Sequence, residues 1–77
     1  MKFRAIELIR VDKLLINPIS ITYDVEIENQ YYSEGFQWSI IRTVEDKSMI
    51  LTAIIDYLEP SRAIFEIKHI GSEYIID

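Results

Sequence analysis

The sequence ISITYDVEIE, residues 19–28, alternates apolar and polar side chains at every position. Its odd-numbered residues are isoleucine, tyrosine or valine, and its even-numbered residues are serine, threonine or acidic. Because successive side chains of a β-strand point to opposite faces, this pattern predicts a strand with one buried and one solvated face. A strand of this kind needs neighbours, and the flanking segments supply them.

Four further segments carry strand signals. Residues 36–44 are rich in aromatic and β-branched side chains, and the short break at residues 31–35 before them predicts a hairpin. Residues 63–70 and 73–77 predict two more strands, with a bulge or turn between them. The segment 3–16 also favours a strand, although an amphipathic helix fits it too.

The segment 48–58 is apolar almost throughout and fits two structures. Its β-branched residues favour a strand that is apolar on both faces. However, Ile50, Ile54 and Leu58 also lie on one helical stripe, which leaves a helix at 48–59 as the alternative. All breaks are short, so no parallel crossover is expected. The prediction is a mainly β fold, an antiparallel meander of four to five strands; with the helix it becomes α+β.

Length and composition limit the stabilising devices. The 77 residues suffice for a single domain, 1–77. There is no cysteine and only one histidine, His69, which excludes disulfides and a structural zinc site. Small domains usually need such a device. With 49% hydrophobic residues, self-association into a homo-oligomer is the remaining expectation.

The charge distribution limits the partners. The net charge is −5, and the lysines and arginines are scattered along the chain, which argues against a nucleic-acid partner. No apolar run approaches the length of a membrane span, and no signal peptide is recognisable at the start. The expected partner is therefore a protein or peptide, without membrane binding, and the expected location is cytoplasmic.

Catalytic patterns are weak. A nucleophile needs an oriented base, and His69 alone would have to serve every serine. Three carboxylates on one strand face, those of Asp24, Glu26 and Glu28, are typical of a solvated surface that blocks edge pairing. The two glycines cannot build a phosphate-binding loop. The sequence therefore predicts a non-enzymatic protein without cofactor or metal.

The main functional hypothesis is a protein-binding module. If residues 48–58 form a strand that is apolar on both faces, a second molecule has to cover the outer face. The module would then self-associate and bind a polypeptide through apolar sheet surface or sheet edges. The candidate partner-binding and oligomer-binding residues are Trp38, Ile41, Ile50, Ile54, Leu58 and Ile64.

A second hypothesis uses charge instead of apolar surface. The protein would be a small acidic inhibitor or immunity protein, of the kind that phages and plasmids encode, which blocks a basic protein surface. Its acidic patch would consist of Asp24, Glu26, Glu28, Tyr31, Tyr32 and Glu34.

Two segments resemble a known family. Residues 3–12, with Pro18 soon after, resemble the opening strand of the SecB-type export chaperones, and residues 63–76 are similar to that family's fourth strand. The resemblance covers the β-sheet half of the family. It implies a four-stranded antiparallel meander, oligomerisation and apolar grooves that hold unfolded chains. The implied candidates for the client-facing or oligomer-facing surface are Trp38, Ile41, Ile54 and Phe65.

Overall fold

A five-stranded antiparallel sheet carries one short helix on one of its faces. The computed structural model describes residues 1–11, 14, 20–29, 37–58 and 66–76. The elements are β1 (Lys2–Arg10), β2 (Ser20–Glu28), β3 (Trp38–Val44), a 3₁₀ turn (Lys47–Met49), α1 (Ile50–Leu58), β4 (Ile67–Ile70) and β5 (Glu73–Ile76).

Strands β1 and β2 follow the predicted alternation. They pair antiparallel from Phe3 opposite Ile27 to Arg10 opposite Ser20, with Arg4 opposite Glu26. Val25 is fully buried on one face, whereas the acidic side chains of β2 point to the other face. The strand predicted at 19–28 is therefore confirmed over Ser20–Glu28, and Lys2–Arg10 of the N-terminal segment form a strand and not a helix.

The strand order corrects the predicted meander. The order is β3-β2-β1-β5-β4, so β1 is the central strand and β3 and β4 lie at opposite edges. The short polar breaks in the sequence predict a meander, because they leave no connection long enough to cross the sheet. The chain in fact leaves β3 at one edge and enters β4 at the other, and α1 lies on this connection.

The prediction of a strand at 48–58 is wrong, and its alternative, a helix in this segment, is confirmed. Asp46 begins the helical segment, since its side chain accepts a hydrogen bond from the Ser48 backbone N–H, and the 3₁₀ turn continues directly into α1. Ile50, Ala53 and Ile54 of α1 are buried. The β-branched residues favour a strand only weakly, whereas a helix buries this stripe against an otherwise bare sheet face.

The core lies between α1 and the sheet. The described buried residues are all apolar: Phe3, Val25, Val44, Ile50, Ala53, Ile54 and Ile76. Phe3 and Tyr57 meet edge to face, with their ring centroids 5.8 Å apart, and so join the central strand to α1. The face of the sheet opposite α1 contributes nothing to this core.

A β-bulge changes the direction of the side chains in β3. Val25 pairs with Arg42 and Glu26 pairs with Ile40, so Ile41 is the extra residue of the bulge. As a result, Ile41 packs against the core, while Arg42 forms an ion pair with Asp56 of α1 at 3.1 Å. Ile40 points to the opposite face.

The β2–β3 and β4–β5 hairpins are closed by a backbone hydrogen bond and by a glycine turn, respectively. The Asn29 N–H donates to the Gln37 carbonyl at 2.7 Å, which closes the β2–β3 hairpin. Gly71 adopts a φ of 61° in the turn between β4 and β5, so the predicted interruption there is a turn. The described residues do not include the predicted hairpin break at 31–35, Phe36 or residues 63–65.

Candidate functional site

The sheet face opposite α1 is a surface that the core does not use. We call it the open face. It is formed by the even-numbered side chains of β1 and β2, together with Trp38, Ile40, Thr43, Lys68, Ile70, Glu73 and Ile75.

An ion pair lies at the centre of the open face. The Arg4 Nε donates to the Glu26 carboxylate, and the Arg4 guanidinium lies 4.2 Å from the centroid of the Trp38 ring. Only 14% of the Glu26 side chain is exposed, so the pair is partly shielded from water. A second pair, Lys2 with Glu73 at 3.6 Å, lies beside it. The central charges of the open face are thus matched within the protomer.

One cross-strand row organises this surface. Reading across the sheet from β3 to β4, the paired residues are Ile40, Glu26, Arg4, Glu73 and Ile70. Ile40 is 57% exposed and Ile70 is 61% exposed, so an apolar residue lies at each end of a charged row. Leu8, also on the open face, is 46% exposed.

The predicted partner-binding residues are mostly not on this surface. Ile50 and Ile54 belong to the core, at 3% and 0% exposure. Ile41 and Leu58 are half-buried and pack against that core. The predicted strand would expose Ile50, Ile54 and Leu58, but as a helix the segment turns this stripe onto the molecule's own sheet. Its other large apolar side chains, those of Met49, Leu51, Ile55 and Tyr57, are 42–49% exposed. Trp38 does lie on the open face, and Ile64 and Phe65 lie outside the described residues.

The described part of the predicted acidic patch is on the open face. Asp24, Glu26 and Glu28 share it, as the alternation predicts. The Thr43 hydroxyl donates to Asp24 at 2.8 Å, and Glu26 is paired with Arg4. The described open face carries equal numbers of acidic and basic side chains. The acidic ones are Asp24, Glu26, Glu28 and Glu73, and the basic ones are Lys2, Arg4, Arg10 and Lys68. Tyr31, Tyr32 and Glu34 lie outside the described residues.

Sequence reasoning missed Ile40 and Ile70 as exposed apolar residues. Simple alternation gave no reason to prefer Ile40 over Ile41, because both are isoleucines in one apolar run. The bulge decides between them, and it follows from the pairing of β3 with β2. For Ile70, the signal available was its position next to Gly71, at the end of a short strand.

Within the described ranges, no group of three or more His, Asp or Glu side chains is placed to hold a metal ion. Within the same ranges, no helix combines the length and apolarity that a membrane span requires.

Comparison with known proteins gives no relative. No family model, no curated protein and no solved structure matches the chain. These comparisons do not bear on the resemblance to SecB-type chaperones, which stays a prediction.

Proposed function

We propose that the protein is a non-enzymatic protein-binding module whose binding surface is the open face, and that its first partner is a second copy of itself. The observation that carries the proposal is the exposure of Ile40 and Ile70, at 57% and 61%, at the two ends of the row through Arg4 and Glu26. Single exposed isoleucines are ordinary, but here they share one face with Trp38 and Leu8.

The central charges suit burial under a partner. A buried charge is costly when it has no partner, and Arg4 and Glu26 already satisfy each other. Arginine and tryptophan are enriched at the energetic centres of protein interfaces. A partner that covers this cluster would desolvate a matched pair and an aromatic ring, with the isoleucines around it.

The distribution of charge on the open face favours a second copy. Its charged residues on β1 are all basic (Lys2, Arg4 and Arg10), whereas those on β2 are all acidic (Asp24, Glu26 and Glu28). A two-fold axis parallel to the strands, between β1 and β2, would lay β1 of one copy over β2 of the other. Each basic row would then face an acidic row, as an isologous interface requires.

The sheet edges are less suited to binding than the face. The edge strand β3 is interrupted by the bulge at Ile41, and the edge strand β4 has only four residues. Bulged and short edges are devices that discourage strand addition. The proposed interface is therefore face to face and not a continued sheet.

Light scattering after size exclusion tests the proposal over a range of protein concentrations. The wild-type chain is expected as a dimer, and Ile40→Asp as a monomer with unchanged circular dichroism. The matched control is Ile55→Asp, since Ile55 is 42% exposed on α1, away from the open face. This control should remain dimeric.

A charge-swap pair sharpens the test. Arg4→Glu alone should weaken the dimer, because it breaks the internal pair and places a carboxylate at position 4 against Glu26 of the other copy. Adding Glu26→Arg restores the internal pair and the facing of opposite charges, so the double variant should recover the dimer. A wild-type chain that stays monomeric at every concentration would contradict the proposal. So would dissociation by Ile55→Asp but not by Ile40→Asp.

A further inference from the structure

A groove of about 380 Å³ lies on the helix side of the sheet, between the start of α1 and the β4–β5 turn. Its floor comes from Ala5, Glu7 and Tyr23, one wall from Lys47 and Ile50, and the other wall from the β4–β5 hairpin. This volume falls in the range of small-molecule sites, which are typically apolar clefts with a few converging polar groups.

One wall of the groove is aromatic. The rings of His69 and Tyr74 stack, with centroids 4.2 Å apart and an angle of 7° between their planes. Both residues line the groove, and burial raises the pKa of the Tyr74 hydroxyl. The stacked pair therefore supplies aromatic surface to the groove.

Two opposite charges line the same groove. Glu7 supplies a carboxylate from the floor, and Lys47 supplies an ammonium group from the wall at α1. Neither side chain forms a hydrogen bond or ion pair in the part of the chain that the structure describes. By contrast, Arg4, Lys2 and Arg42 each have an acidic partner.

From this arrangement we infer that the groove binds a small zwitterion of the free aromatic amino-acid class. Glu7 would accept hydrogen bonds from the ligand's ammonium group, and Lys47 would donate to its carboxylate. The ligand's ring would pack between Ile50 and the wall formed by His69 and Tyr74. An uncharged ligand would leave the charges of Glu7 and Lys47 without a partner, and a simple anion would be repelled by the Glu7 carboxylate.

The inference does not rest on the proposed dimer. The groove lies on the face that carries α1, whereas the proposed interface is the open face. Ile40→Asp should therefore bind the ligand as well as the wild-type chain does, and loss of dimerisation would leave the inference intact.

Ligand binding can be measured by two-dimensional NMR titration of the full chain with L-phenylalanine. Shifts are expected at Glu7, Lys47, His69 and Tyr74. Phenethylamine, which lacks the carboxylate, 3-phenylpropionate, which lacks the ammonium group, and N-acetylphenylalanine amide, which lacks both charges, should all bind more weakly. Each lost charge-assisted contact should cost about tenfold or more in Kd.

Two substitutions test which charged group of the ligand each protein side chain binds. Glu7→Gln should weaken the binding of L-phenylalanine and phenethylamine but not that of 3-phenylpropionate. Lys47→Gln should weaken the binding of L-phenylalanine and 3-phenylpropionate but not that of phenethylamine. Glu66→Gln, an exposed substitution away from the groove lining, is the matched control and should change nothing.

Two results would overturn the inference. One is the absence of shifts at the groove up to the solubility limit of L-phenylalanine. The other is equal binding of the charge-free amide, which would show an apolar cleft without recognition of charge.

Discussion

The Arg4 side chain on β1 reaches across β2 to place its guanidinium 4.2 Å from the centroid of the Trp38 ring on β3. Along the way it pairs with Glu26, which lies directly opposite it on β2. One side chain thereby links three neighbouring strands on the open face. This contact can be followed optically, since Trp38 is the protein's single tryptophan.

The Arg4–Glu26 pair should contribute modestly to stability. A double-mutant cycle with Arg4→Ala, Glu26→Ala and the double variant should give a coupling energy of about 1 kcal/mol, because the pair is only partly shielded. Urea unfolding measures the cycle. Arg4→Ala should also shift the Trp38 emission, as it removes the cation from the ring. Zero coupling and an unchanged spectrum would mean that the contact does not form in solution.

Because residues 50–58 form a helix, alanine substitutions of the adjacent residues Ile54 and Ile55 should lower the free energy of unfolding unequally. Ile54 is fully buried, so Ile54→Ala should lower the free energy of unfolding by about 2–5 kcal/mol. A domain of this size has only about 4–12 kcal/mol in total, so the variant should be close to unfolding. Ile55→Ala, at an exposed position, should stay within about 0.5 kcal/mol of wild type. If chemical denaturation shows equal losses of unfolding free energy for the two variants, both isoleucine side chains are buried instead.

Asp46 should make stability fall at acid pH. The backbone N–H and the hydroxyl of Ser48 donate to its carboxylate and lower its pKa from the usual 3.8. A folded-state pKa below the unfolded value stabilises the protein above that unfolded value, and this contribution is lost as pH falls through the folded pKa. The thermal midpoint should therefore decrease below about pH 4.

The variant Asp46→Asn isolates this contribution. Asparagine keeps an oxygen that accepts from the Ser48 N–H and still caps the helical segment, but it does not titrate. Its unfolding midpoint should depend less on pH in the acid range than that of the wild-type protein. If the two pH profiles are parallel, Asp46 is not the titrating group.

Gly71 is required for its backbone conformation and not for space. Its φ is 61°, and nothing lies within 4 Å of the position that a Cβ would occupy. Gly71→Ala should therefore destabilise the β4–β5 hairpin by about 1 kcal/mol through left-handed strain alone. Gly71→Asn should cost less, since asparagine tolerates this region better. Equal stability of all three chains in thermal melts would contradict the turn geometry.

The strand at residues 19–28 could be predicted because its signal is local. The period-two alternation of residues 19–28 depends only on the direction of successive side chains, and so did the assignment of the acidic residues to one face. The segment 50–58 could not be settled this way. Ile50, Ile54 and Leu58 are four residues apart, and this spacing fits one face of a strand as well as one stripe of a helix.

The candidate site was predicted only in part for a related reason. Trp38 and the acidic residues of β2 lie on the open face, as alternation within their own strands allows. Ile40 and Ile41 exchange roles because the bulge depends on how β3 pairs with β2, and the sequence of β3 does not contain that information.

By itself, then, the sequence determined the strand character and the two-faced pattern of β2, since both depend on nearest neighbours along the chain. Tertiary structure alone decided the helix, the strand order and the identity of the exposed isoleucines. The physical reason is burial. One face of the sheet, with Phe3, Val25 and Val44, needed a cover, and the segment that could serve as strand or helix buries most apolar surface as a helix on that face.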